Sequence, residues 1–250
     1  MEFAVDVLAL LFVVALVAGI IDAIAGGGGL LTVPALMAVG IPPAMALGTN
    51  KLQGCFGSMS ASLHFVRHKM VDLRRFWPPI VASGVGGAFG SLAVQSIDPS
   101  FLKQVIPWLL IAIALYMLLA PRAGDVERHQ RVSMPVFAFT VGFGVGFYDG
   151  FFGPGTGTFF AIGCVAVLGT TLPVATAHSK LMNFACNSVA LVFFIIGGKV
   201  LWLPGGVMAV GQIIGGQIGA RLVFRGGAKL VRRVLVVVSI AISIRLFMTS

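Results

Sequence analysis

Gly19–Lys51 reads GIIDAIAGGGGLLTVPALMAVGIPPAMALGTNK, which sets an aspartate, four consecutive glycines and a lysine inside an otherwise apolar run. At membrane depth, ionised side chains and unpaired backbone are costly and persist where protein buries them or where they line a watery cavity. The pattern returns in Gly146–Lys180, GFYDGFFGPGTGTFFAIGCVAVLGTTLPVATAHSK. Asp149 stands where Asp22 stood, Gly153 for Gly26, Gly155 for Gly28 and Lys180 for Lys51, with offsets of 127 residues at the aspartate and 129 at the lysine. A Gly- and Pro-interrupted apolar segment duplicated in two halves is the sequence mark of a transporter's binding site.

Composition bounds the class. With 58% apolar residues, 10% charged residues and a mean hydropathy of +1.03, the chain reads as an integral membrane protein. The longest charged stretch, Arg122–Arg131, is too short to fold alone, so no soluble domain is expected. A net charge of +9 raises nucleic acid as a partner. The cations, however, sit in short loops between apolar runs, which is how membrane proteins set orientation, and nucleic-acid binding is set aside. Cys55, Cys164 and Cys186 have no CxxC spacing and read as small packing residues rather than metal or redox centres. Glu2 and Asp6 stand where a cleaved signal would be basic, so the first apolar run reads as a retained span.

In chain order, Ala4–Ile21 is long enough to cross a bilayer core of about 30 Å and is read as ending at Asp22. Leu30–Val39 is a short broken helix closed by Gly40 and Pro42-Pro43. Ala44–Val66 is a full-length run whose first turns carry Thr49, Asn50, Lys51 and Gln53. Phe76–Ile97 follows, with Gly84, Gly86, Gly87 and Gly90 forming a face for close helix packing. Phe101–Ala120 completes a first repeat of about 4–120, and 121–133 is a polar linker. The second repeat, about 134–248, runs Met134–Phe152, broken Thr156–Gly169, Leu172–Ile196, Leu203–Val223 and Lys229–Met248, with Gly215–Gly219 echoing Gly86–Gly90. The expected fold is one all-α polytopic membrane domain: two inverted repeats, each of about four full spans plus a broken helix, giving 8–10 membrane segments.

Loop charge bears on whether the broken pieces cross. Five crossings per half put twelve cations on one face, against Lys103 and Lys199 on the other, with Arg245 near the C-terminal end. Four per half divide the loops eight against six. The odd number is preferred by the positive-inside rule; it inverts the second copy and places both termini outside.

The paired motifs, GIIDAIAGGGGLLTVPAL with GTNKLQ and GFYDGFFGPGTGTFF with AHSKLMN, resemble the sulfite exporter TauE/SafE family, also called the 4-toluene sulfonate uptake permease family, over about Leu8–Phe247. The resemblance implies a multi-helix permease of the bacterial inner membrane, with members that move small organic or inorganic anions such as sulfite and sulfonates. GGGG in the first copy against GPGT in the second makes the halves inequivalent.

The residue chemistry agrees with an anion. Helix starts at Gly26–Gly29 and Gly153–Gly157 offer backbone N–H groups and a positive dipole end, which nominates Gly27, Gly28, Gly29, Gly155, Thr156 and Gly157. Lys51 with Thr49 and Asn50, and Lys180 with Ser179 and Asn183, supply charge and donors. The alternative role is internal: Lys51 pairs with Asp22 and Lys180 with Asp149, each within its own repeat, to neutralise buried charge. His178, at the position of Thr49, is a proton-coupling candidate or a packing histidine. Asn187 shares the Lys180 face, Gln212 and Gln217 are weaker candidates, and Tyr148 is a donor or a packing aromatic.

The first functional reading is a secondary carrier of small anions, sulfur oxyanions or organosulfonates, working by alternating access with possible coupling to protons. A passive anion channel is the alternative, followed by an intramembrane enzyme using Asp22 and Asp149 as a dyad. No GxxxxGK[ST] is present for direct ATP use, and no cofactor or metal is expected. The partners expected are a small anion and the lipid bilayer.

Overall fold

The computed structural model describes residues 3–98, 100–102, 104, 105, 108 and 129–249, with side chains as far as Arg225. Most of the expected span Phe101–Ala120 and most of the 121–133 linker lie outside these residues. The first half contains α1 (Val5–Ala25), α2 (Gly29–Ala38), α3 (Pro43–Arg67) and α4 (Leu73–Gln95). The second contains α5 (Met134–Phe151), α6 (Thr156–Leu168), α7 (Leu172–Ile196) and α8 (Trp202–Thr249). Among the described residues all regular structure is helical, and five helices are long and apolar enough to cross a membrane.

Two boundaries differ from expectation. The first helix does not stop at Asp22 but runs to Ala25, where Gly26 at φ 79° turns the chain in the left-handed region. Asp22 therefore sits in the last turn of a helix and not in a loop. The last two expected spans, Leu203–Val223 and Lys229–Met248, form one continuous helix over Trp202–Thr249. The Gly226-Gly227 pair between them contains no proline, and glycine weakens a helix without removing a backbone donor.

The two broken helices are matched but unequal. Gly26 (φ 79°) and Gly153 (φ 97°) open the breaks, and Gly40 (φ 86°) and Gly169 (φ 74°) end the short helices that follow. The two extra residues of the second half fall between Gly153 and Gly169. They are absorbed by a longer α6, whose last turn, Cys164–Leu168, widens to a π-helix, the geometry that accommodates an inserted residue.

Each short helix returns along its predecessor. Leu36 and Ile41, at the far end of α2, share an apolar cluster with Phe3, Val7 and Leu11 at the start of α1. At the far end of α6 the Val167 carbonyl accepts the Arg131 N–H at 2.9 Å, just before α5 begins.

The halves interlock through small residues. α1 lies along α8 and α5 along α4, while α3 and α7 meet centrally, with α3 also on α8 and α7 also on α4. A Cβ on Gly86 would strike the Phe143 carbonyl and one on Gly90 that of Phe147. Likewise Gly215 faces the Leu16 carbonyl and Gly219 that of Ile20, so the same contacts recur at the repeat offsets. Packing thus accounts for these glycines, as their sequence pattern suggested.

The outward helix faces are apolar, and polar side chains are gathered inside among the apolar clusters. Val13 and Val17 of α1, Val85 and Phe89 of α4, Phe139 of α5 and Val210 of α8 face outward, while Thr49, Asn50, Lys51, Gln53, Ser58, Ser60 and Ser62 of α3 are buried. That distribution suits a hydrocarbon surround, and the chain is a multi-pass membrane protein.

Two expectations follow. Replacing Gly90 or Gly219 with Leu forces the paired backbones apart and lowers the apparent melting temperature of the detergent-purified protein by several degrees, whereas Gly206→Ala, where a Cβ meets nothing within 4 Å, leaves it unchanged. An alkaline phosphatase fused after Pro42 is active and a green fluorescent protein fused after Thr170 fluoresces; the opposite pattern would contradict the returning short helices.

Candidate functional site

The two helix breaks abut at the centre. The Gly26 backbone lies against Gly157, so that a Cβ on Gly157 would come within 2.5 Å of the Gly26 Cα. A Cβ on Gly29 would lie 3.0 Å from the Pro154 Cα. Thr158 Oγ1 donates to the Ala25 carbonyl at 2.6 Å, tying the start of α6 to the end of α1.

Two buried ion pairs bridge the halves here. Lys51 of α3 pairs with Asp149 of α5 at 2.8 Å, and Lys180 of α7 pairs with Asp22 of α1 at 2.8 Å. Pairing within each repeat, Lys51 with Asp22 and Lys180 with Asp149, is therefore wrong: each lysine takes the aspartate of the other half. The packing explains it. α1 docks on α8 and α5 on α4, which carries each first-helix aspartate across the midline to the opposite half's lysine.

The environments of the pairs differ. Lys51 and Lys180 are among the largest fully buried side chains. Asp149 is sealed, with its side chain 3% exposed, and its Oδ2 also accepts the Cys186 thiol at 2.9 Å. Lys51 additionally donates to the Asp149 carbonyl. The Asp22 side chain is 19% exposed, and its Oδ1 accepts the Gly28 N–H at 3.3 Å, at the N-terminus of α2. One carboxylate is buried against a thiol; the other closes a helix end and touches a cavity.

The glycines serve the lysines as much as any ligand. A Cβ on Gly153 would lie 3.0 Å from Lys51 Nζ, and one on Gly157 3.0 Å from Lys180 Nζ. Side chains at these positions would displace the ammonium groups. Only Gly28 among the expected N–H donors is seen engaged with an anionic group, and that group is Asp22.

A cavity of about 30 Å³ lies between the pairs. Asp22, Gly28, Gly29, Asn50, Gln53 and Gly54 line it from the first half, and Asp149, Gly153, Asn183, Asn187 and Gln212 from the second. That volume suits about one water molecule. Asn50 Oδ1 accepts from Thr32 Oγ1 and Gln53 Nε2, both at 2.6 Å, and Gln53 Oε1 is buried without a partner among the described residues. Asn187 donates to Asn183 across one turn of α7.

Of the residues nominated by sequence, Asp22, Asp149, Lys51, Lys180, Asn50, Gly28, Gly29 and Asn183 converge on this centre. Thr49 does not: its hydroxyl accepts the Leu201 N–H at 3.1 Å and ties α3 to the start of α8. Ser179 donates to the Thr176 carbonyl and, with Gly157, lines a separate 20 Å³ cavity. Gly27 and Gly155 are buried in the breaks, and Thr156 caps back onto the Gly153 carbonyl at 2.6 Å. His178 stacks on Phe76 with ring centroids 4.0 Å apart and faces a different cavity. Tyr148 donates to the Pro154 carbonyl at 2.5 Å, which makes it part of the scaffold of the second break.

Sequence reasoning passed over Cys186, Thr32 and Gly54. Cys186 had one signal: in the 129-residue register it stands at the place of Gly57, which accommodates the Gln212 side chain, so the two halves differ where each central helix meets its neighbour.

The sequence profile of the sulfite exporter TauE/SafE family matches residues 11–246. A "Probable membrane transporter protein" of Haemophilus influenzae is 49% identical over 239 residues, covering 96% of this chain and 94% of that one. YfcA of Escherichia coli K12, bearing the same description, is 49% identical over 243 residues, 97% of this chain and 90% of its own. YunE of Bacillus subtilis, also so described, is 25% identical over 238 residues, 85% and 87% of the two chains. No solved structure matches the chain. A profile match across nearly the whole length, with relatives near half-identical end to end, places this multi-pass membrane protein in the sulfite exporter TauE/SafE family.

Proposed function

We propose that this protein is a secondary carrier of small anions, of the sulfur oxyanion or organosulfonate class, in the bacterial inner membrane, with its substrate site at the abutting helix breaks. The observation that carries the reading is the pair of buried lysines, each neutralised by a carboxylate from the opposite half. A carboxylate is itself an oxyanion, so Asp22 and Asp149 occupy the positions that substrate oxygens would take against Lys180 and Lys51. The descriptions borne by the family and by its curated relatives point the same way.

The chemistry of transport follows from exchange. The cavity between the pairs is far smaller than a hydrated sulfonate, so substrate entry requires the halves to separate at the breaks. The contacts that break are the cross-half pairs. A lysine left without its carboxylate in a low-dielectric interior is costly, and an arriving anion restores its neutralisation. The released aspartate then takes up a proton or reaches water, which offers a route for proton coupling. Asp22 suits that part better than Asp149, because its side chain is 19% exposed against 3%. His178 is placed away from both pairs and enters in another capacity below.

A carrier of this kind gives uptake that saturates and that an imposed gradient can drive uphill; a passive channel gives neither. In proteoliposomes supplied with radiolabelled sulfite, toluenesulfonate or sulfoacetate, Lys51→Met and Lys180→Met each lower uptake of the transported anion by at least about tenfold, the loss of one charged partner. Wild-type uptake in both variants, at equal amounts of inserted protein, would remove the lysines from the mechanism.

A further inference from the structure

A second cavity, about 640 Å³ in volume, shares no lining residue with the central one. It opens where the loop between α3 and α4, the residues preceding α5, the end of α6 and the first turns of α7 come together. Its polar lining consists of Arg75, His129, Gln130, Thr170 and His178, with Asp72 at the rim, and Met70, Met134, Leu168 and Val174 form an apolar wall. Two of its polar atoms, Thr170 Oγ1 and His178 Nδ1, are buried and have no hydrogen-bond partner among the described residues.

That combination has a cost that a ligand would remove, since a buried donor or acceptor left unpaired is unfavourable. The geometry around it is built. His178 is held flat against Phe76, interplanar angle 14°, which fixes the direction of its ring nitrogens. Arg75 gives one guanidinium N–H to Gln130 Oε1 at 2.9 Å, and Gln130 is itself anchored to the Val132 carbonyl at 2.6 Å. A guanidinium carries five N–H donors, so most of its capacity remains for an anion. The one acidic group among the described lining residues, Asp72, is committed as the cap of α4, with its Oδ1 accepting the N–H groups of Arg74 at 2.9 Å and Arg75 at 3.4 Å. Exposed Arg67, Lys69, Arg74 and Arg131 on the same face concentrate anions near the opening.

We propose that this cavity is a capture site for a small organic anion, a sulfonate or carboxylate with an apolar body, held by Arg75, Thr170 and His178 and seated on the Met70–Met134–Leu168 wall. The Arg75 guanidinium, the hydroxyl and the imidazole take the acid group, and the wall takes the hydrocarbon part, which inorganic sulfite or sulfate lacks. His178 lies two residues before Lys180 on α7 but on the opposite side of that helix, which sets this cavity apart from the central pairs. Binding at this site stands by itself; only its place on a transport route rests on the carrier reading above.

The test is isothermal titration calorimetry of the full-length, detergent-purified protein with benzenesulfonate, and in parallel with sulfate. The wild type binds benzenesulfonate more tightly than sulfate. Arg75→Gln weakens benzenesulfonate binding about tenfold or more and Thr170→Val severalfold. Gly206→Ala, where a Cβ meets nothing within 4 Å, leaves it unchanged, and Lys51→Met, paired with Asp149→Leu so that no lone charge is buried, keeps the Arg75-dependent component of the titration. Both surface variants are checked for a wild-type melting temperature, and His178→Gln, which keeps a hydrogen-bonding side chain, retains more binding than His178→Phe. Absence of benzenesulfonate binding, or binding indifferent to Arg75 and Thr170 but lost with the central pair, overturns the proposal. Failure of anion uptake in proteoliposomes with binding intact would instead contradict the carrier reading and leave the site standing.

Discussion

Two ammonium groups with almost no access to solvent must each be neutralised, and in this protein each is neutralised by the other half of the chain. Lys51–Asp149 and Lys180–Asp22 make the site a property of the whole chain: neither repeat can bury its lysine alone. The rest of the arrangement serves that constraint. The glycine breaks let the ammonium groups approach the backbone, the small-residue faces of α4 and α8 bring the opposite half's first helix close, and the short helices carry the chain back so that the breaks meet. A buried pair of this kind contributes little net stability compared with an apolar pair of the same volume, but it is severely disrupted when one member moves away. On the proposed carrier reading, that asymmetry lets the pair hold the closed state together and yet be replaced by an anion of equal charge.

The two pairs are unequal. Both carboxylates line the central cavity, but Asp149, 3% exposed, is enclosed by Lys51 and the Cys186 thiol, whereas Asp22, 19% exposed, closes the first turn of α2. The Asp22–Lys180 pair is the more exposed of the two. The duplicated register makes the difference visible, because Cys186 stands where the first half has Gly57, and Gly57 leaves room for Gln212 instead. The helix packing is matched between the two halves, and the chemistry at the centre is not.

Much of the fold was legible in the sequence because hydrocarbon imposes strong rules on composition. Apolar run lengths located the spans, positive-φ glycines at 26, 40, 153 and 169 bounded the broken helices, and GGAFG against GGQIG marked the packing faces. The charged residues of the site were legible for the same reason, since an aspartate or lysine at membrane depth stands out. What sequence could not supply was partnership. Asp22 and Lys51 are near neighbours in the motif, so pairing within the repeat was the natural reading, and only the crossing of α1 onto α8 and of α5 onto α4 overturns it. Thr49 and His178 were drawn in by adjacency to the lysines, but a helix turns about 100° per residue, which points them elsewhere. The end of the first helix was misjudged because a charged residue was taken as a terminus, while the backbone is governed by the glycine four residues later.

The most direct measurement is a double-substitution cycle on the melting temperature of the purified protein. Lys51→Met alone buries the Asp149 carboxylate without its cation, a loss of about 3–5 kcal/mol. Adding Asp149→Leu removes the stranded charge and recovers most of the lost stability, whereas adding Asp22→Leu strands Lys180 as well and lowers it further. Recovery with Asp22→Leu and none with Asp149→Leu would mean that the pairs form within each half, and the cross-half site described above would not exist.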